Sequence, residues 1–528
     1  MEPLHGYRHQ PPLHALQWKR HFTIRRTTLY HGQDNRLRVP LGGSAIDEFF
    51  KNHNINFAPP RRYELLRKFL GQNSVHLLQD EAKLSPSDQR VLAMVDDRCD
   101  PCLNIPESAS FQPMRQWGLG EYMNRPPQGL HARIYGMNAA MLYQHLSKNR
   151  KGVAERRVVY LVDITPLMGL ALLSNVSYMQ LSEVRSFLSR HVAFASHMGV
   201  SQARGFTLEF HLPHHVLRPN RVGFRDGRGL RRYRSLRPFE SNDDDCIYEA
   251  QLSLIVLGVD DFFWVAYFCE DSYFRSVNPI TEHLEDEVDG PSFGLRQCQF
   301  PVWDPRYYFL SVLSIRMSQV LMEWTVLVES IENDLDKHAD IGQGSIDKFL
   351  EDDPSLRKTK EYTWILGTLR HLRNSLARLI ATWTAFDTNN RVYFDLDVEG
   401  ALCDKFREHF YEIRQVTAEL GTLQMVLEQR IETLEKRSSV LVTASSLAES
   451  ITATRQGDNI RLLTYITIIY LPVTLVTSAF SMNQVSTDIA WWKYWTSLLC
   501  LTCFTVAVAF GLQSLVPRLR HPNLNVWK

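Results

Sequence analysis

The stretch RLLTYITIIYLPVTLVTSAFSMNQ, residues Arg461 to Gln484, decides how the rest of the chain is read. It is apolar almost throughout and is followed, after a short polar loop, by a second apolar run from Tyr494 to Leu515. Each run is close to the roughly 20 residues an α-helix needs to cross a ~30 Å hydrocarbon core, so the pair predicts two transmembrane helices. The first is unusual in its hydroxyls. Thr464, Thr467, Leu471, Thr474 and Ser478 recur at alternating steps of three and four and share one helix face, fit for water or for another helix.

Working outward, the segment upstream predicts a long helix without a stop signal. Between Pro354 and Pro472 there is no proline. Phe406, Phe410, Ile413, Val416, Leu420, Leu423, Leu427, Ile431 and Leu434 form a near-heptad stripe flanked by charges. If residues 404–480 are one helix, it extends on the order of 115 Å. The plain reading is a coiled-coil stalk. Before it, Asp304-Pro305 supplies a capping carboxylate and a proline suited to the first helical position, opening a helix with the stripe Leu310, Leu313, Met317, Val320, Trp324, Leu327, Ile331 and Leu335. An acidic connector and a helix over about Thr359 to Thr384 follow.

Residues 151–303 read as an α+β domain: a buried strand at Arg157 to Asp163, a helix at Leu181 to His197, a strand at Phe206 to Leu212, and a hairpin around Gly258-Val259-Asp260-Asp261. Residues 1–150, interrupted by Pro-Pro pairs, read as a partly disordered N-terminal extension. The expected organisation is therefore an extension (1–150), an α/β cytosolic domain (151–303), a long-helix stalk or funnel (304–460), a two-helix membrane domain (461–515) and a basic tail (516–528).

Charge and cysteine usage narrow the function classes. Lys and Arg number 59 against 58 Asp and Glu, so no global bias points to nucleic acid. Arg218, Arg221, Arg225, Arg228, Arg231, Arg232, Arg234 and Arg237 crowd one loop, but stacking aromatics are sparse there. The expectation is a solvated insertion offset by Asp243, Asp244 and Asp245. His211, His214 and His215 flank Pro213 and are read as decorating a strand end rather than holding a metal. The eight scattered cysteines fit a reducing compartment; Cys99 and Cys102 lack the second pair a zinc site wants. No nucleophile motif, phosphate loop or H-E-x-x-H indicates an enzyme. Arg455 and Arg461 precede the first span and Arg518, Arg520 and Lys528 follow the second, which places both termini in the cytosol. Trp491, Trp492, Tyr494 and Trp495 then form an outer aromatic belt. The opening residues lack an apolar signal core and only faintly resemble a mitochondrial transit peptide, so the plasma membrane is the expected location ahead of the mitochondrial inner membrane.

A long helix feeding a span with Tyr470-Leu-Pro-Val-Thr474, ending Phe480-Ser481-Met482-Asn483 and followed by a short loop and a second span, resembles the CorA family of divalent-cation transporters, particularly its divergent fungal branch. The resemblance implies a homopentamer in the lipid bilayer, with the first span around a central pore, the second outside it, and a cytosolic funnel that senses Mg2+. It implies that Asn483 contributes to a carboxamide ring meeting hydrated Mg2+ at the pore mouth, with Phe480, Ser481 and Met482 beside it. Thr474 matches a pore hydroxyl position. Ile460, Leu463 and Leu471 fall at the family's apolar constriction, and Gly457 where funnel meets membrane. Ser481 stands where the family has Gly, and Phe480 where Tyr is common. If that Gly serves a conformation a β-carbon would strain, Ser costs on the order of 1 kcal/mol. The cargo implied is Mg2+ or a related divalent cation, with no covalently bound cofactor. The alternative is a membrane-anchored scaffold or interaction protein that conducts nothing. Acidic runs at Asp243 to Asp245 and Glu285, Asp286 and Glu287 are candidate regulatory Mg2+ ligands. A second match, Tyr135-Gly-Met-Asn138, follows no apolar span and is read as coincidence.

Overall fold

The computed structural model describes residues 18, 21–33, 46, 50, 60–71, 73–99, 134–148, 150, 154–202, 205–219, 226–235, 245–272, 279–340, 357–481 and 491–519. They divide into two compact units. The first takes residues Met1–Gln343 and Glu361–Leu434, the second Gly344–Lys360 and Glu435–Lys528.

The first unit is built on a mixed sheet of eight strands: β1 (Ala93–Arg98), β2 (Ile134–Met137), β3 (Arg156–Val162), β4 (His197–Ser201), β5 (Phe206–Pro219), β6 (Tyr233–Ser235), β7 (Asp245–Asp260) and β8 (Phe263–Glu270). Its order is β2-β1-β3-β8-β7-β5-β4, with β6 added beside β7. Only β3 and β8 pair in parallel among these neighbours. Alternation along the strands feeds two cores. Val158, Tyr160, Leu254 and Val256 point to one face, Val159, Leu161, Ile255 and Leu257 to the other. The second face is covered by α2 (Pro60–Leu70), α3 (Ala139–Leu146), α4 (Pro166–Asn175) and α5 (Leu181–Val192), after the short α1 (Thr27–Gln33). The first face is covered by α7 (Pro305–Asp340), α8 (Arg357–Asn389) and the N-terminal part of α9 (Ala401–Ser481), while α6 (Pro279–Glu285) lies against β2 and β1.

The expected helix signals hold. Asp304 accepts from the Tyr307 N–H at 2.8 Å, capping α7, and the α7 stripe from Leu310 to Ile331 is buried. The α9 stripe from Phe406 to Leu434 joins the same core. The hairpin also forms, with β7 and β8 meeting at Asp260 and Phe263 through a bulge after Gly258. A β-carbon on Gly258 would lie 2.3 Å from Phe206 Cζ and 2.9 Å from Trp264 Cβ, both buried. Gly258→Ala is expected to destabilise the unit by about 1–3 kcal/mol through overpacking. A thermal midpoint equal to the wild type's in detergent would contradict that.

The sheet does not respect the boundary expected at residue 150, because β1 and β2 precede it. Asp96, Asp97 and Arg98 disguise β1 as a polar segment, yet all three are buried. Asp96 meets Arg98 at 2.6 Å and Arg156 at 2.7 Å, while Asp97 meets Arg157 at 2.6 Å and His145 at 2.8 Å. Burial pushes the Asp97 carboxyl up, but hydrogen bonds from Arg157 and His145 outweigh it and lower it to about 2. Nearer the N-terminus, buried Trp18 donates to Asp261 at 3.2 Å and the Tyr30 hydroxyl to Asp260 at 2.8 Å, fixing this part of the expected extension on the β7–β8 hairpin.

In the second unit, α9 runs unbroken to Ser481, across the boundary expected at 460, and α10 spans Trp491–Leu519.

Candidate functional site

The C-terminal part of α9 is long and apolar enough to cross a membrane, and its most apolar stretch is only 11% buried. Ile460, Leu463 and Leu471 are exposed, the last at 63%. Such a surface is not stable in water and needs lipid or neighbouring copies to cover it.

The hydroxyls on this helix are turned back on their own backbone. Thr464 donates to Ile460 O at 2.7 Å, Thr467 to Thr464 O at 2.9 Å, and Thr474 to Leu471 O at 3.0 Å and Tyr470 O at 3.1 Å. Such back-bonding satisfies a hydroxyl in an apolar surrounding. It also uses the proton, so what remains to face outward is the oxygen's accepting capacity. The face therefore offers acceptors to water hydrogens.

A different strip of the same helix is covered. Pro472 and Val476 are buried and Ile468 and Phe480 half-buried, at steps of four. At about 100° per residue this strip lies roughly opposite the face of Thr467, Leu471 and Ser478. At its end Phe480 meets the Tyr494 ring of α10 edge-on at 5.3 Å, and Thr477 Oγ1 lies 3.4 Å from the Tyr494 hydroxyl. Pro472 has no N–H to give the carbonyl four residues back, an interruption that membrane helices tolerate. Trp491, Trp492 and Trp495 at the start of α10 are exposed.

Of the expected pore-mouth residues, Phe480 and Ser481 are described; Met482 and Asn483 lie outside the described residues. Ser481 ends α9 in helical conformation, its Oγ donating to Ser478 O at 3.2 Å, and it is not among the described non-glycine residues with positive φ. Ser481 therefore does not adopt the left-handed backbone in which a β-carbon is strained. Gly457 is helical as well, and a β-carbon there would meet nothing within 4 Å.

Residues 399–513 match the family model described as "CorA-like Mg2+ transporter protein". This segment of the chain is CorA-like. Among solved structures, the chain is similar to the full-length CmaX protein at 16% identity, covering 68% of this chain and 88% of that one with a TM-score of 0.32. It is also similar to the CorA magnesium transporter from Methanocaldococcus jannaschii at 10% identity, covering 79% and 97% with a TM-score of 0.33. No curated protein matches.

The CorA-like segment thus contains the hydroxyl face, whereas the second motif match does not belong to it. Tyr135, Gly136 and Met137 lie in β2, and Asn138 caps α3 by accepting from the Met141 N–H at 2.9 Å while its amide donates to Glu81. Asp243 and Asp244 lie outside the described residues, Asp245 begins β7, and Glu285, Asp286 and Glu287 are exposed at the end of α6 and just after it.

Two readings outside the segment need correction. Three arginines of the loop are held by acids other than Asp243 to Asp245, while Arg221, Arg225, Arg237, Asp243 and Asp244 lie outside the described residues. Arg231 is buried with Asp271 at 2.5 Å, Arg228 meets Asp226 at 2.7 Å and Asp271 at 3.0 Å, and Arg218 meets Glu323 at 2.6 Å. The histidines do not decorate a strand end either; they are buried within β5, which runs on past them to Pro219. His211 lies between Glu209 at 2.7 Å and Ser253 at 2.7 Å. His215 is grouped with Glu249 and His371, a juxtaposition of three distant positions that no sequence spacing announces.

Proposed function

We propose that this chain is a subunit of a channel-like transporter for Mg2+ or a related divalent cation, assembled as a homopentamer with the hydroxyl face of α9 lining the conduit. The observation that carries this reading is the CorA-like match over residues 399–513 coinciding with a face of back-bonded hydroxyls on an uncovered apolar helix. Mg2+ sheds its water reluctantly, so it is moved most easily with its shell in place. The waters of that shell point their hydrogens outward. Oxygens that have already spent their protons on the helix backbone accept from such hydrogens, and being neutral they do not trap the ion. Ile460, Leu463 and Leu471 supply apolar surface able to gate by dewetting.

In this reading Asn483, with Phe480, Ser481 and Met482, stands at the outer mouth, α10 packs outside α9, and both termini are cytosolic, in the plasma membrane. Acidic side chains from Asp243 to Asp245 or Glu285 to Glu287 of adjoining copies are proposed as a regulatory Mg2+ site.

Vesicles carrying the purified wild-type protein, assayed for uptake of Mg2+, Co2+, Ni2+ and Zn2+ in competition, test the reading. Saturable Mg2+ uptake above empty vesicles is expected. Uptake no greater than that of empty vesicles would leave the scaffold as the function.

A further inference from the structure

His215 of β5 and Glu249 of β7 are direct cross-strand partners, so their side chains rise from the same face of the sheet. His371 of α8 comes down on that face, its ring centroid 5.4 Å from that of His215. One ligand atom from each of the three lies within 4.8 Å of the others.

The surroundings single His215 out. It is 3% exposed, and neither Nδ1 nor Nε2 has a hydrogen-bond partner among the described residues. Phe194 and Trp324 rings lie edge-on at 5.8 and 5.5 Å. A buried imidazole with both nitrogens unpartnered is costly unless something else uses a lone pair. Glu249 is oriented by the backbone N–H of Arg232, which donates to Oε2 at 3.0 Å.

We propose that His215, Glu249 and His371 form a site for a Zn2+-class transition ion that ties α8 to the β5–β7 face. Two imidazoles and one carboxylate suit Zn2+ and its first-row neighbours, whereas Mg2+ takes oxygen ligands. Three protein ligands leave a fourth tetrahedral position for water. With bonds of about 2.0–2.1 Å the ligand atoms of such a site stand about 3.3 Å apart, so capture draws the three inward by roughly an ångström. Two ligands sit on paired strands and one on a helix, elements rigid enough to define a site. The proposal is independent of conduction, since none of the three residues lies in the CorA-like segment.

The test uses full-length protein in detergent, stripped with chelator and titrated with Zn2+ alone, then with Co2+ for its visible ligand-field bands. Tight binding of one Zn2+ per chain and the intense absorption of tetrahedral Co2+ are expected. His371→Ala, at the half-exposed ligand, and the isosteric Glu249→Gln should each weaken Zn2+ binding at least tenfold. Zn2+ should raise the thermal midpoint of the wild type but not of these variants. Absence of Zn2+ binding by the wild type, or wild-type affinity in both folded variants, would overturn the site.

Discussion

Asn483→Ala is expected to reduce Mg2+ and Co2+ uptake to the level of empty vesicles. The residue follows closely on the end of α9 and beyond the last hydroxyl of its acceptor face. If five copies converge there, alanine removes five carboxamide oxygens at once from the point where the hydrated ion leaves bulk water. The adjoining loop from Gln484 to Lys493 carries a single acid, Asp488. Attraction of cations to the mouth therefore depends on neutral oxygens rather than on a surface potential. Thr467→Val and Thr474→Val offer a graded comparison. Each removes one acceptor per chain from a row of several, so each should lower flux several-fold without abolishing it. Undiminished flux in Asn483→Ala, with the wild type conducting, would remove the amide ring from the mechanism. A thermal midpoint matching the wild type would show that any loss of flux is local.

What could be read in the sequence follows from where periodicity and side-chain chemistry agree. The α9 stripe, the α7 cap at Asp304 and the hairpin after Gly258 were legible because each depends on neighbours within a few residues. The hydroxyl face was legible for the same reason, as a 3.6-residue period shows in one dimension. Strand β1 was not, because half of its residues are charges whose partners, Arg156 and Arg157, sit on another strand. Burial by ion pairing inverts the polarity pattern that identifies a strand. The His215, Glu249 and His371 grouping was hidden by distance along the chain, since it arises from strand register and helix packing together. The fate of the arginine loop was hidden similarly: Asp271, its principal partner, belongs to the segment just after β8.

That carboxylate carries the largest expected effect on stability. Asp271 is fully buried, 2.5 Å from Arg231 and 3.0 Å from Arg228, and accepts the Gln251 N–H at 3.0 Å. Asp271→Ala leaves Arg231 buried without that carboxylate, with the carbonyls of His191 and Val192 and the Phe194 ring as its remaining side-chain partners among the described residues. Breaking a buried pair from one side costs about 3–5 kcal/mol, because the remaining charge has neither water nor a counter-charge. A fall in thermal midpoint on the order of 10 °C is expected. Asp271→Asn, which keeps the shape and loses the charge, should lie between the two. The dependence on pH has a definite sign. Burial pushes the carboxyl up, but Arg231 and Arg228 outweigh it and hold it well below the usual carboxylate range. Its stabilisation is therefore complete above the unfolded-state value of about 3.9 and is lost as pH falls through the lower folded-state value. The gap between wild type and Asp271→Ala should be widest near neutrality and narrow below about pH 4. A gap that stayed constant to lower pH would mean that alanine destabilises by leaving a void, and the ion pair would not be the cause.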